Sequence, residues 1–204
     1  MSIMPCFRHG ILGFALVPCM ALSAGGPVHY GFSAHLNVPG DDLDRDLNGK
    51  IGAGGSFQVS IETSGRTIVR PRLDLDFFPV SEDRRRHSSY RDRVDLDSVG
   101  LGVDFLYAFS GTNDQGLYGL GGVGVQKWFQ TFSSRDTDEF EGWERDDTVH
   151  NRTSAWLAVG LGYQFNPIVG LEARAVGSKY DGLVNGTSGG RTAVVGQLAL
   201  TCRW

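Results

Sequence analysis

The sequence predicts an all-β protein, an eight-stranded antiparallel transmembrane β-barrel preceded by a cleaved signal peptide. Three observations predict it. Apolar side chains recur at every second position in eight separate segments, a period that belongs to strands. The connections alternate, long and charged after odd segments and short after even ones, as in barrels inserted from one side of a membrane. The last strand runs Val194, Gly196, Leu198, Leu200, Cys202, Trp204 and stops on a large aromatic, where a soluble domain would fray.

Residues 1–24 are expected to be the signal peptide, and residues 25–204 the barrel domain. Arg8 and His9 precede the apolar run Ile11–Val17, and Ala21-Leu22-Ser23-Ala24 has the small residues of a cleavage region. That run is too short to cross a bilayer as a helix. Cys6 and Cys19 fall in this segment, so the mature chain keeps Cys202 alone and forms no internal disulfide. No later segment has the apolar length of a membrane helix, so insertion must use strands. A formal charge of −4 gives no reason to expect a nucleic-acid partner.

The first strand sets Val28, Tyr30, Phe32, Ala34, Leu36 and Val38 against His29, Gly31, Ser33, His35 and Asn37, and a charged loop, Pro39 to about Lys50, follows. The second sets Phe57, Val59 and Ile61 against Gly54, Ser56, Gln58, Ser60 and Glu62, and turns at Thr63–Arg66. In the third, Val69, Leu73, Leu75 and Phe77 oppose Arg70, Arg72, Asp74 and Asp76, before a polar loop from Pro79 to about Asp97. Pro71 interrupts it, and a closed barrel has no free edge for a missing N–H, so a bulge or a late start to pairing is expected. The fourth sets Val99, Leu101, Val103, Phe105, Tyr107 and Phe109 against Gly100, Gly102, Asp104 and Ala108. The fifth, Leu117 to about Phe132, permits two registers: either Val123 and Val125 or Leu120 and Trp128 face outward, unless a bulge lets both. An acidic loop, roughly Ser133 to Arg152, separates it from the sixth, where Ala155, Leu157, Val159, Leu161, Tyr163 and Phe165 alternate with Ala158, Gly160, Gly162 and Gln164. The seventh sets Val169, Leu171, Ala173 and Ala175 against Gly170, Glu172 and Arg174, and a Gly-rich loop, Ser178 to Gly190, leads to the eighth.

Two aromatic belts are expected: Tyr30, Tyr107, Phe109, Tyr118, Tyr163, Phe165 and Trp204 near the end holding the termini, and Phe77, Trp128, Phe132 and Trp156 near the loops. Leu198, Leu200 and Trp204 have the pattern of a C-terminal assembly signal. Alternation alone does not say which face is wet, and a lipocalin-like soluble barrel would turn the apolar set inward. The small set of glycine, alanine and serine suits a narrow interior, and the apolar face carries almost no charge; both favour the membrane orientation.

The runs VGLGVDFLYAF, AWLAVGLGYQF, GLEARA and VVGQLALTCRW resemble the small eight-stranded outer-membrane barrels of the OmpA-transmembrane-domain and opacity-protein type, over about Val28 to Trp204. The resemblance implies an integral protein of a Gram-negative outer membrane, a monomer with both ends periplasmic and four surface loops. Expected partners are outer-membrane lipid and lipopolysaccharide, the barrel-assembly machinery and periplasmic chaperones. The expected role is structural or surface-interacting, with no enzyme activity, cofactor or metal. The alternatives are a narrow porin-like channel and, further off, a lipid A-modifying enzyme. EARAVGSKYDGL is loosely similar to lipid A deacylase barrels but lacks their His-x-Ser-Asn stretch.

The inward face carries both signs of charge: Glu62, Arg70, Arg72, Asp74, Asp76, Asp104, Glu172, Arg174, Arg203 and, in one register of the fifth strand, Lys127. Buried charge is costly unless paired, so a salt-bridge network filling the lumen is expected, with a gated polar path as the functional alternative. His29, Ser33, His35 and Glu62 offer the residue types of a nucleophile–base–acid set, but their spacing spreads them along the barrel. Arg84, Arg85 and Arg86 could contact lipopolysaccharide phosphates, although Glu82, Asp83 and Asp92 interleave with them. Asp41, Asp42, Asp44 and Asp46 look superficially like a calcium loop without its spacing.

Overall fold

The computed structural model describes residues 26–47, 49–83, 91–109, 114–135, 146–181 and 190–204. The predicted signal peptide and the triplet Arg84-Arg85-Arg86 lie outside the described residues. Eight strands, β1 (Val28–Gly40), β2 (Gly52–Ser64), β3 (Thr67–Asp83), β4 (Arg91–Ala108), β5 (Gly116–Arg135), β6 (Asp146–Gln164), β7 (Val169–Asp181) and β8 (Gly190–Arg203), form one closed antiparallel barrel in sequence order. A short helix, α1 (Asp41–Leu47), lies between β1 and β2.

Closure is made by β1 against β8, with Ala34 opposite Leu200 and His35 opposite Ala199. Tyr30 and Trp204 exchange backbone hydrogen bonds at 3.1 and 2.9 Å, so the final residue is held and not frayed. The short turns are set by side chains. Ser64 Oγ accepts the N–H groups of Arg66 and Thr67, and Asn166 Oδ1 accepts those of Ile168 and Val169.

The alternation resolves the orientation of the wall. Phe32, Leu36, Leu101, Phe105, Leu161 and Leu200 are each about half exposed or more, while Arg70, Arg72, Asp104, Glu172 and Arg174 are buried inside. Apolar residues therefore form the outer surface of a barrel whose charged side chains are turned inside. That is the arrangement of a wall solvated by hydrocarbon. Val59, Ile61 and Pro71 share the outward register yet are buried.

One open alternative is settled and three expectations are corrected. The fifth strand has one register without a bulge: Val123 and Val125 face outward, and Leu120 and Trp128 face inward. Pro71 causes no bulge. It sits in register opposite Val103, and the register to β2 is the same on either side, Gln58 with Arg72 and Ile61 with Val69. The partners of Val59 and Ser60 simply drop out, a local loosening in place of an inserted residue. The aromatic belt at the terminal end holds Tyr30, Tyr107, Phe109, Tyr163, Phe165 and Trp204 on the outer face, but Tyr118 turns inward. At the other end Phe77 faces outward while Trp128 and Trp156 point into the lumen, so those indoles form no belt.

The predicted long loops are shorter than their polar runs suggested. The β3–β4 ladder shifts between Phe78 and Ser81, then continues to Asp83 opposite Asp92. That of β5 and β6 continues to Ser134 opposite Asp146. Backbone pairing there needs no apolar face, so the alternation that marks the lower strands is lost although the hairpin goes on. The first loop holds α1, with Asp41, Asp42 and Asp44 in the first turn and Arg45 in the last, charges that complement the helix dipole. Leu43 and Leu47, four apart, share one face and are buried.

Candidate functional site

The candidate site is the lumen, which is filled in layers. At its middle lies a charge cluster built by β3, β4 and β7. Inward alternation places Arg70, Arg72 and Asp74 successively up β3, Asp104 on β4, and Glu172 and Arg174 on β7. Arg70 grips both oxygens of Glu172, at 2.5 and 2.9 Å, and reaches Asp104 Oδ2 at 2.9 Å. Arg72 binds Asp104 at 2.9 Å, Ser56 Oγ at 3.2 Å, and both oxygens of Asp74. Arg174 reaches the same Asp104 oxygen at 3.3 Å. Tyr118 donates its hydroxyl to Glu172 at 2.7 Å.

These contacts join three guanidiniums to three carboxylates, so the layer carries no net formal charge. Neutrality matters because an unpaired ion in a low-dielectric interior costs several kcal/mol (~3–5 when one partner of a buried pair is removed). Forked arginine–carboxylate contacts also fix geometry, since both groups are planar.

Above this layer, away from the termini, Asp76 sits in a cage of neutral donors and one imidazole. His35 Nε2 lies 2.7 Å from Oδ1, and Asn37 donates at 2.8 Å; Ser98 donates to Oδ2 at 3.0 Å, with Gln126 and Gln197 at 3.5 and 3.4 Å. Higher still the lumen turns apolar. Phe78, Leu96, Trp128, Tyr180, Ala193 and Val195 line a socket into which α1 inserts Leu43 and Leu47. Asp46 of α1 accepts hydrogen bonds from Tyr180 at 2.7 Å and Arg191 at 2.9 Å. Below the charge layer, Ile68, Leu106, Tyr118 and Leu120 form a second apolar group.

Two small chambers flank the charge layer. The one nearer the termini is lined by Gln58, Ser60, Arg70, Tyr118, Gln164 and Arg203, among others, and offers about 20 Å³ to the centre of a water molecule. The one under the socket, lined by Asp74, Asp76, Trp128, Trp156 and Arg174, among others, offers about 10 Å³. A single water needs roughly 10–15 Å³ by this measure, so each holds one or two waters at most.

Of the residues expected to form one ladder, Arg70, Arg72, Asp74, Asp104, Glu172 and Arg174 are brought together. Asp76 belongs to the separate polar cage. Glu62 lies near the terminal end, 3.8 Å from His29, and Arg203 pairs with Asp114 at 3.0 Å and donates to the carbonyl of Pro167. Lys127 is not in the lumen: it faces outward, 5.2 Å from the centre of the Phe129 ring. Leu198, Leu200 and Trp204 lie on the outer face of the closing strand. The nucleophile–base–acid types do not converge. Ser33 bonds Ser56 at 2.5 Å, His35 is held by Asp76, and Glu62 is beside His29. Among the described residues no acidic or histidine cluster is arranged to hold a metal ion.

Sequence reasoning missed that Trp156 and Tyr118 point inward. Trp156 lies under the Arg174 guanidinium, 5.4 Å from the ring centre, and fills space left by glycines on β4 and β5. A methyl at Gly124 would lie 2.6 Å from Trp156 Cε2, and one at Gly122 3.0 Å from Cζ3. Gly162 makes the same room for the Tyr118 ring. Glycines clustered on adjacent strands opposite one aromatic are the signal that could have found them.

No family model and no curated protein matches the chain. Solved structures do. Ail, the attachment invasion locus protein of Yersinia pestis, is 15% identical with a TM-score of 0.56, covering 88% of this chain and 99% of that one. A major outer membrane protein from Thermus thermophilus is 12% identical with a TM-score of 0.50, covering 87% and 100%. The N-terminal β-barrel domain of Pseudomonas aeruginosa OprF is 17% identical, with a TM-score of 0.49 over 88% and 99%. The first two share the fold of this chain: a small barrel of the outer-membrane type.

Proposed function

We propose that this chain is an integral outer-membrane β-barrel with a structural or surface-interaction role, and that its lumen is a plug. The observation that carries the reading is the lumen itself. A neutral charge layer, a caged carboxylate and an apolar socket follow one another along the axis, with chambers no larger than one or two waters between them. Among the described residues these layers leave only chambers too small for a hydrated ion, which supports a plug over a pore. The apolar outer wall supports insertion in hydrocarbon, and the fold shared with outer-membrane proteins supports that membrane in particular.

What remains for function is the surface beyond the membrane. We propose that the barrel acts as a monomer, with no turnover, through its four loops, and that outer-membrane lipid and lipopolysaccharide are its neighbours, with Arg84, Arg85 and Arg86 as candidate phosphate contacts. The barrel-assembly machinery and periplasmic chaperones are its proposed partners in biogenesis.

Two measurements test this. The protein extracted in detergent should migrate anomalously on a gel unless boiled; a water-soluble protein without that shift ends the membrane reading. In planar bilayers the barrel should pass no steady current. A channel predicts discrete conductance, raised further by Arg72→Ala, and such currents in the unaltered protein would overturn the plug.

A further inference from the structure

The helix α1 is attached differently from the wall around it. Its seven residues are too few to hold a helix in water unaided, so its place depends on what it touches. Leu43 and Leu47 fill the apolar socket, and the Asp46 carboxylate is held by the Tyr180 hydroxyl and the Arg191 guanidinium. Both flanks are bends. Asp41 has φ +57° and Gly49 φ +71°, in the left-handed region that β-branched and bulky residues avoid. Asp41 is also bridged to Ala193 of β8, which anchors one flank. The strands beside it, in contrast, are tied along their length by backbone ladders.

What lies beneath is unfinished. Gln126 Oε1, Gln197 Oε1 and Arg174 Nε are buried and have no hydrogen-bond partner, and all three residues line the chamber under the socket. Such groups call for water or a small hydrogen-bonding solute, and α1 covers the approach from the end opposite the termini.

We propose that α1 is a hinged stopper: it lifts and reseats at this end of the barrel without the strands unpairing, pivoting between Asp41 and Gly49. The Asp46 carboxylate on Tyr180 and Arg191 is its latch, and Leu43 and Leu47 are its seal. Lifting it opens the aromatic socket and the chamber below to the medium, which on the reading above is the cell exterior. The layer of Arg70, Asp104 and Glu172 stays shut, so the opening makes a cup and no channel.

Thiol protection tests the proposal. Ala193→Cys places a reporter at the seal, on the socket wall, and Ala199→Cys one deep in the lumen, each in a background with Cys202 changed to serine. Each protein is inserted in lipid vesicles and labelled with a charged, membrane-impermeant maleimide. Asp46→Asn should raise the labelling rate of the seal thiol about tenfold or more, the scale of losing a hydrogen bond to a charged group. Tyr180→Phe should raise it by less, and the deep thiol should stay protected in every background. Tyr180→Phe is also the arm that decides should Asp46→Asn not fold. Three results would overturn the stopper: no acceleration in the latch variants, a seal thiol already freely reactive with the latch intact, or deep and seal thiols accelerating together. The heat-dependent gel shift, run on the same samples, reports separately whether the barrel reading has failed.

Discussion

Asp104→Asn is the sharpest test of the charge layer. Asp104 is fully buried and its Oδ2 accepts hydrogen bonds from three arginines, Arg70 and Arg72 at 2.9 Å and Arg174 at 3.3 Å. Asparagine keeps the shape but removes the charge, leaving three guanidiniums facing Asp74 and Glu172. One buried positive charge is then uncompensated. Removing one partner of a buried pair costs about 3–5 kcal/mol, a factor of roughly a hundred to several thousand in the folding equilibrium. The assay is reversible urea unfolding from lipid vesicles, followed by tryptophan fluorescence and by the fraction of heat-shifting protein. Adding Arg174→Gln restores neutrality and should recover part of the loss, although it also removes the contact with Trp156. The reasoning is refuted if Asp104→Asn costs less than about 1 kcal/mol, or if the second change deepens the loss instead of offsetting it.

Other consequences can be measured in the same way. Leu157 is 67% exposed on the outer face, so Leu157→Arg should cost about 2–4 kcal/mol in a bilayer, where a water-facing site would show almost none. Gly124→Val should cost about 1–3 kcal/mol or more through the clash with Trp156 and the Gly102 backbone, and Trp156→Leu in the same protein should relieve part of it. Tyr118→Phe removes one donor from Glu172 while Arg70 keeps its grip, so a loss of about 1–2 kcal/mol in urea stability is expected. Arg45→Ala should change stability by less than about 0.5 kcal/mol, because its contact with Asp42 is solvent-exposed.

Strand count, order and facing were legible because a period of two is imposed wherever one face meets oil and the other does not. Val99 to Phe109 and Ala155 to Phe165 state it residue by residue. The signal failed where that contrast disappears. In β5 the run of glycines around Val123 hid the register, because glycine belongs to neither set. Beyond Phe78 and Phe129 the sequence loses its strict apolar–polar alternation, so continued pairing looked like loop. Acids spaced through α1 masked a helix that buries Leu43, Leu47 and the Asp46 carboxylate. The charged residues were legible as lumen residues, but not their grouping. Whether Asp76 joins Arg72 or His35 depends on its height in the barrel and on where Asn37 and Gln197 reach, which no spacing along the chain reveals.

The ions that meet at Asp104 and Glu172 come from β3, β4 and β7, and β7 lies far along the chain from the other two and adjoins them only through other strands. A strand paired one residue out of step would turn its own charges to the outer face and leave their counter-ions unpaired inside. The ion pairs of the lumen thus reward one circular alignment of the hairpins and penalise its near neighbours.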